Sequence, residues 1–167
     1  MDPIMERRSV RTFTPEPVTQ EELRQLLAAA MAAPSAVNQQ PWEFYVVQNA
    51  AMRESLSRTS PYAGPAAKAP VCIVPCLRAQ DLRAPEYALV DLSAATENLL
   101  VKACELGLGG VWLGVAPNQE RSRAVAQVLG CPDTLAPFAL VAVGHPADKR
   151  QPTGPSRFDE SRIRWVQ

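Results

Sequence analysis

A single histidine, His145, and four cysteines with no Cys-x-x-Cys pair leave little from which to build a zinc centre. Cys72, Cys76, Cys104 and Cys131 read instead as buried thiols of a reducing compartment. Net charge is missing too. Seventeen Lys and Arg balance seventeen Asp and Glu, which removes the case for nucleic acid or an anionic membrane as the main partner. The N-terminus begins Met-Asp-Pro without an apolar signal core. The longest apolar run, about Leu135 to Val143, is too short to cross a bilayer and contains Pro137. A cytoplasmic protein is expected. No catalytic triad, phosphate-binding glycine loop, metal-ligand cluster or pair of catalytic acids stands out, so no catalytic side chain and no metal site is assigned. An enzyme of this kind would leave its chemistry to a bound cofactor and supply placement and electrostatics.

What is present suits one globular domain spanning residues 1–167, with 47% hydrophobic and 20% charged residues. Asp2-Pro3 starts a short helix that runs to about Arg8. Ser9 to Phe13 reads as extended. Thr19 with Glu22 forms a capping box, and Leu23, Leu26, Leu27, Ala30 and Met31 follow at helical spacing as far as Ala33. Trp42 to Val47 is aromatic and β-branched, hence a strand. Asn49 caps a helix to about Arg58, Ser60 to Pro65 is a turn-rich break, and Val71 to Val74 is a short strand that Pro75 weakens. The longest helix runs from Pro85 or Glu86 to about Leu106, with Leu89, Leu92, Thr96, Leu99, Ala103 and Leu106 on one face. Its apolar and small surface predicts burial nearly all round. That burial comes either from the chain's own sheet or from a partner subunit as well. A strand over Val111 to Val115, a helix from Asn118 or Gln119 to Leu129, and a buried strand over Pro137 to Val143 follow. The stretch 147–156 reads as a surface crossing, and Arg157 to Trp165 as a short helix anchored by Trp165. His145 reads as a turn residue.

Three stretches carry chemistry. Arg7, Arg8, Ser9 and Arg11 place three guanidiniums and a hydroxyl at a helix-to-extended junction. On charge spacing this is either a solvated basic turn or an anion site, since arginine forks match phosphate oxygens. Pro34 to Trp42 joins a helix to a strand and carries Ser35, Asn38, Gln39 and Gln40 between two prolines. It is either a polar connector or a surface that reads the edge of a heteroaromatic ring, because side-chain amides both donate and accept. Gly107, Gly109 and Gly110 follow a helix and precede a strand, the reverse of a dinucleotide fingerprint, and at least one of Gly107 and Gly109 reads as a helix C-cap. Gly114 inside the next strand suggests close approach of another group to the backbone.

Together, Arg7-Arg8-Ser9-Val10-Arg11, the Pro34 to Trp42 loop, the Asp91 to Gly114 block, and Gly144-His145-Pro146 with the later Arg157 resemble the nitroreductase family of FMN flavoproteins in order and spacing. The resemblance implies an α+β fold, a central antiparallel sheet flanked by helices, in an intertwined homodimer with two FMN sites at its interface. It further implies that Arg7, Arg8, Ser9, Arg11 and Arg157 hold the phosphate, ribityl chain and pyrimidine edge. Trp112, Leu113 and Gly114 would form the strand that passes the ring. Pro34, Ser35, Ala36 and Asn38, with Gln40 beside them, would come from the other subunit. Departures from the family pattern occur at Pro155 and Ser156, which replace a basic residue, and at Val115 after Gly114.

The activity implied is ping-pong hydride transfer from NADH or NADPH through flavin N5 to a nitroaromatic or quinone. Two alternatives stand beside it: a flavin reductase or dehalogenase acting on one metabolite, and an FMN carrier or sensor with little turnover.

Overall fold

The computed structural model describes residues 2–148 and 157–166 of the 167. Five strands form one antiparallel sheet: β1 (Trp42–Val47), β2 (Val71–Arg78), β3 (Gly109–Gly114), β4 (Leu135–Pro137) and β5 (Ala139–Gly144). The order is β1-β2-β5-β3, with β4 pairing β2 beyond the end of β5. Helices surround it: α1 (Pro3–Glu6), α2 (Gln20–Met31), α3 (Ala50–Ser57), α4 (Pro65–Lys68), α5 (Ala88–Glu105) and α6 (Gln119–Leu129).

Two-residue alternation sorts the sheet into two apolar faces. Trp42, Val71, Ile73, Val141 and Val143 join the α2 and α5 residues Leu26, Leu92 and Leu99 in one core. Val47, Cys72, Val74, Val111, Leu140 and Ala142 join Leu56 of α3, Ala66 of α4 and Val125 of α6 in the other. Both faces are thus covered, which explains why the strands read as apolar runs. Burial pushes the Cys72 thiol up to about 12, so this side chain behaves as a small hydrophobe.

The caps form as the sequence dictates. Asp2 accepts from Ile4 N, Thr19 and Glu22 close the capping box, and Asn49 and Asn118 cap α3 and α6. Gly107 follows α5 at φ +76°, a conformation that glycine adopts without steric cost. Of the eighteen α5 residues only Leu89, Val90, Glu97 and Glu105 are exposed.

Several expectations need correction. α1 ends at Glu6, short of Arg8. β2 does not stop before Pro75 but runs to Arg78. The Pro75 carbonyl accepts from Phe138 N at 2.9 Å, so its missing N–H faces the same side, where β4 ends and β5 begins, and no ladder bond is lost. The expected strand over Pro137 to Val143 is two strands broken at Phe138, whose ring packs edge-on to Trp112 at 5.4 Å. Met31 is exposed rather than in the stripe. α4 lies in a stretch that carries no helical spacing of its own. After Arg157 the described residues hold one 3-10 turn, Glu160–Arg162, and Trp165 is 78% exposed, so it is no anchor among them. The expected surface crossing at 147–156 falls mostly outside the described residues.

Candidate functional site

β3 is an edge strand. On one side it pairs with β5 along its whole length. On the other, Ser9 bridges Gly110 in parallel and Val10 N donates to Gly110 O at 2.9 Å. Successive peptide groups alternate between edges, so Trp112 and Gly114 turn their N–H and C=O groups to the same outer edge as Gly110. Leu113 points the other way. Its backbone faces Leu140 and its side chain lies in the core. A Cβ built on Gly114 would meet nothing within 4 Å. Gly109, at the start of the strand, is the opposite case: a Cβ there would lie 2.6 Å from Val10 Cγ2. The start of β3 is therefore closed by the N-terminal segment and its end is open. Arg121 of α6 reaches that open end. Its Nη1 donates to Gly114 O at 3.3 Å, and its guanidinium lies 5.5 Å from the centre of the exposed Tyr62 ring. A cavity of about 380 Å³ lies beyond, lined in part by Leu77, Leu89, Pro117, Gln119 and Phe138; none of the residues picked from the sequence lines it.

The arginine group sits beside the closed start of β3. Arg7 Nε meets Glu97 Oε1 at 2.9 Å. Arg8 forms a two-pronged pair with Asp148, at 3.0 and 2.8 Å, and that guanidinium holds the Asp148 carboxyl below the usual carboxylate range. Arg11 makes a long contact, Nη1 to Ser9 O at 3.5 Å. These contacts occupy only some of the five N–H donors that each fork carries. Arg157 is exposed, and among the described residues no shared acid or acceptor ties it to the other arginines.

The Pro34 to Gln40 turn is held elsewhere, at the start of α5. Asp91 Oδ1 accepts from Ala36 N at 3.0 Å, and Oδ2 accepts from Gln39 Nε2 at 2.7 Å. Gln39 also exchanges two bonds with the Ala84 backbone, at 2.9 and 3.1 Å. Arg83 donates to Val37 O. Ser35 Oγ accepts from Gln40 N, and Asn38 Oδ1 accepts from Gln40 Nε2. Three non-glycine residues of this turn occupy the left-handed region: Val37 at φ 47°, Asn38 at 54° and Gln40 at 46°. Gln39 between them is buried, whereas Val37 is 56% exposed and Gln40 is exposed as well.

Within one chain, then, Arg7, Arg8, Ser9 and Arg11 lie beside the start of β3, and Trp112 and Gly114 line the same edge. No hydrogen bond among the described residues joins the Pro34, Ser35, Ala36, Asn38 and Gln40 turn to that edge. Sequence reasoning missed Asp91, Arg83 and Arg121, and it counted Gln39 among the amides that could read a ring edge, whereas Gln39 is buried against Asp91. Asp91 carried a legible signal, a single acid in the i, i+4, i+8 stripe with Ala95 and Leu99. Arg121 carried none, because its role depends on where α6 packs.

A model of the nitroreductase family matches residues 4–63 and 54–145. A protein of Archaeoglobus fulgidus named as a candidate NADH dehydrogenase/NAD(P)H nitroreductase is 38% identical over 162 residues, covering 96% of this chain and 93% of its own. The crystal structure of a candidate NADH oxidase from Clostridium acetobutylicum superposes with a TM-score of 0.94 at 37% identity, covering 99% of each chain. A candidate nitroreductase from Desulfovibrio desulfuricans, solved in complex with FMN, gives 0.81 at 31% identity, covering 99% of this chain and 94% of its own.

Proposed function

The chain belongs to the nitroreductase family, and from that premise we propose that it is an FMN-dependent NAD(P)H oxidoreductase acting on quinone-type or nitroaromatic acceptors. The observation that carries the reading is the outer edge of β3. An arginine-bearing segment lies at its start, and at its end the peptide groups face outward with no neighbouring strand, beside a glycine whose Cβ position is clear. From Gly110 to Gly114 the strand advances about 13 Å at its usual rise. That arrangement suits a molecule with a phosphate at one end and a flat hydrogen-bonding tricycle at the other.

The donor set fits FMN. The remaining donors of Arg7, Arg8 and Arg11, with the Ser9 hydroxyl, would hold the phosphate and ribityl chain, and Arg157 would return to the phosphate. The Trp112 and Gly114 peptides would meet the edge of the ring. Arg121 adds a positive charge at that edge, which favours a ring that gains negative charge. Bound FMN would supply the hydride relay, accepting from NADH or NADPH and passing the equivalents to the acceptor. Because donor and acceptor would use one open face in turn, ping-pong kinetics are expected.

The Pro34 to Gln40 turn fits the scheme when a second copy supplies it, since in its own chain it is held at the start of α5. The exposed Val37, Tyr87, Leu89 and Val90 around that turn and the start of α5 form an apolar surface for such a homodimer. No described helix is long and apolar enough to cross a membrane.

The purified protein tests the scheme. A yellow protein that bleaches rapidly with NADH or NADPH and is reoxidised by a quinone or nitroarene supports the oxidoreductase. A yellow protein that neither nucleotide bleaches is a carrier or sensor. A colourless protein that refuses added FMN overturns the proposal.

A further inference from the structure

We propose that Asp91 is a positioning residue for the flavin site: its buried carboxylate grips the Ser35–Gln40 turn from behind and fixes the groups that the turn presents to the ring. The inference rests on the reading of that turn as an FMN-facing element. Its own support is the hydrogen-bond geometry and the backbone of the turn.

Asp91 is 5% exposed and Gln39 is 8% exposed. A carboxylate in such a place is costly unless its lone pairs are used. Here each oxygen accepts from a different donor of the same turn, Ala36 N and Gln39 Nε2. The Gln39 amide also exchanges two bonds with the Ala84 backbone, so its orientation is fixed. Asp91 lies in the first turns of the eighteen-residue α5, where the helix dipole favours negative charge.

A plain connector between α2 and β1 would not need this bracket. What the bracket holds is a run in which Val37, Asn38 and Gln40 all take left-handed backbone angles, an unfavourable state for a β-branched valine in particular. The result of that strain is directional. Gln39 faces inward to Asp91, whereas Val37 and Gln40 face outward, and Asn38 and Gln40 hold each other at 3.1 Å. Strain that persists only because its surroundings over-determine it is expected where presentation matters.

The test uses the purified full-length protein, apo and loaded with FMN. Asp91→Asn keeps the volume but points an N–H₂ at one of two donors. The expected result is an FMN dissociation constant raised tenfold or more, with an altered visible circular dichroism band of the flavin at saturating FMN. A residue that only stabilises the fold would lower the melting temperature of the apo protein and leave that band unchanged. Should Asp91→Asn fail to fold, Gln39→Met removes the amide that Asp91 holds, with its two Ala84 bonds, and leaves the carboxylate in place, with the same expected result. Unchanged FMN affinity and an unchanged dichroism band in a folded Asp91→Asn or Gln39→Met protein overturn the proposal. Asn38→Ala separates this failure from failure of the underlying reading. If Asn38→Ala weakens FMN and the Asp91 variant does not, only the Asp91 role falls. If Asn38→Ala also leaves FMN binding untouched, the turn does not face the flavin.

Discussion

Gly114 and Arg7 are the residues at which the proposed cofactor site is most exposed to disproof. A side chain at Gly114 meets open space in this chain, and its φ lies outside the left-handed region. Gly114→Val should therefore leave the melting temperature of the apo protein within about 2 °C of wild type, since β-branched residues suit strands. It should raise the FMN dissociation constant at least about tenfold, or about 1.4 kcal/mol; fluorescence titration with FMN measures this. Equal affinity would mean that the edge at Gly114 faces nothing. Arg7 carries the complementary charge. Replacing it by alanine removes donors and leaves Glu97, its 2.9 Å partner, facing the same place. Charge-assisted hydrogen bonds are worth about 1.5–3 kcal/mol, so Arg7→Ala should lose FMN about tenfold or more. Arg157→Ala should do the same if that exposed arginine turns to the phosphate. Full flavin occupancy in both variants would refute the phosphate assignment.

At the scale of elements, the N-terminal segment is attached to β3 by close packing that only a glycine allows. Gly109→Ala would put a Cβ 2.6 Å from Val10 Cγ2 and 2.7 Å from Val10 Cβ. Overpacking of this kind costs about 1–3 kcal/mol, so the melting temperature should fall by several degrees, and Val10→Ala in the same protein should restore part of it. FMN affinity should fall with it, because Val10 lies between Ser9 and Arg11. Differential scanning fluorimetry with and without FMN reads both effects. Much of this architecture was legible in the chain. Capping residues at Thr19, Asn49 and Asn118 place the starts of α2, α3 and α6, and α2 ends at Met31, two residues short of the expected Ala33. What was not legible depended on partners distant in sequence. Pro75 reads as a strand breaker until the gap between β4 and β5 appears opposite it. The Asp91 bracket joins positions 55 residues apart, and the left-handed run at Val37 to Gln40 has no glycine to announce it. The arginine cluster was visible as charge, but its pairing with Glu97 and Asp148 was not, because no local pattern links Arg8 to Asp148.

On the scale of the whole molecule, the proposed reading makes one chain supply two halves of a flavin site that do not meet within it. The β3 edge with its arginines is one half, and the turn bracketed by Asp91 is the other. A homodimer resolves this if each copy offers its turn to the edge of the other. The surface that such contact would bury is apolar where a soluble monomer would be polar: Val37 is 56% exposed, Tyr87 52% and Val90 64%. Val90 makes the sharpest probe, because its side chain belongs to neither core of its own chain. Val90→Asp should still fold, with an apo melting temperature below that of a dimeric wild type, because association no longer stabilises the native chain. Burying that charge against apolar residues of a second copy costs several kcal/mol. Sedimentation velocity at micromolar concentration should then show a dimer for wild type and a monomer for the variant. FMN should leave the variant as the dimer is lost, since the partner's turn goes with it. A stable monomer that retains FMN as tightly as wild type would show that the turn and the β3 edge do not share a ligand. Both halves would then have to be reassigned, even if the protein proved yellow and active.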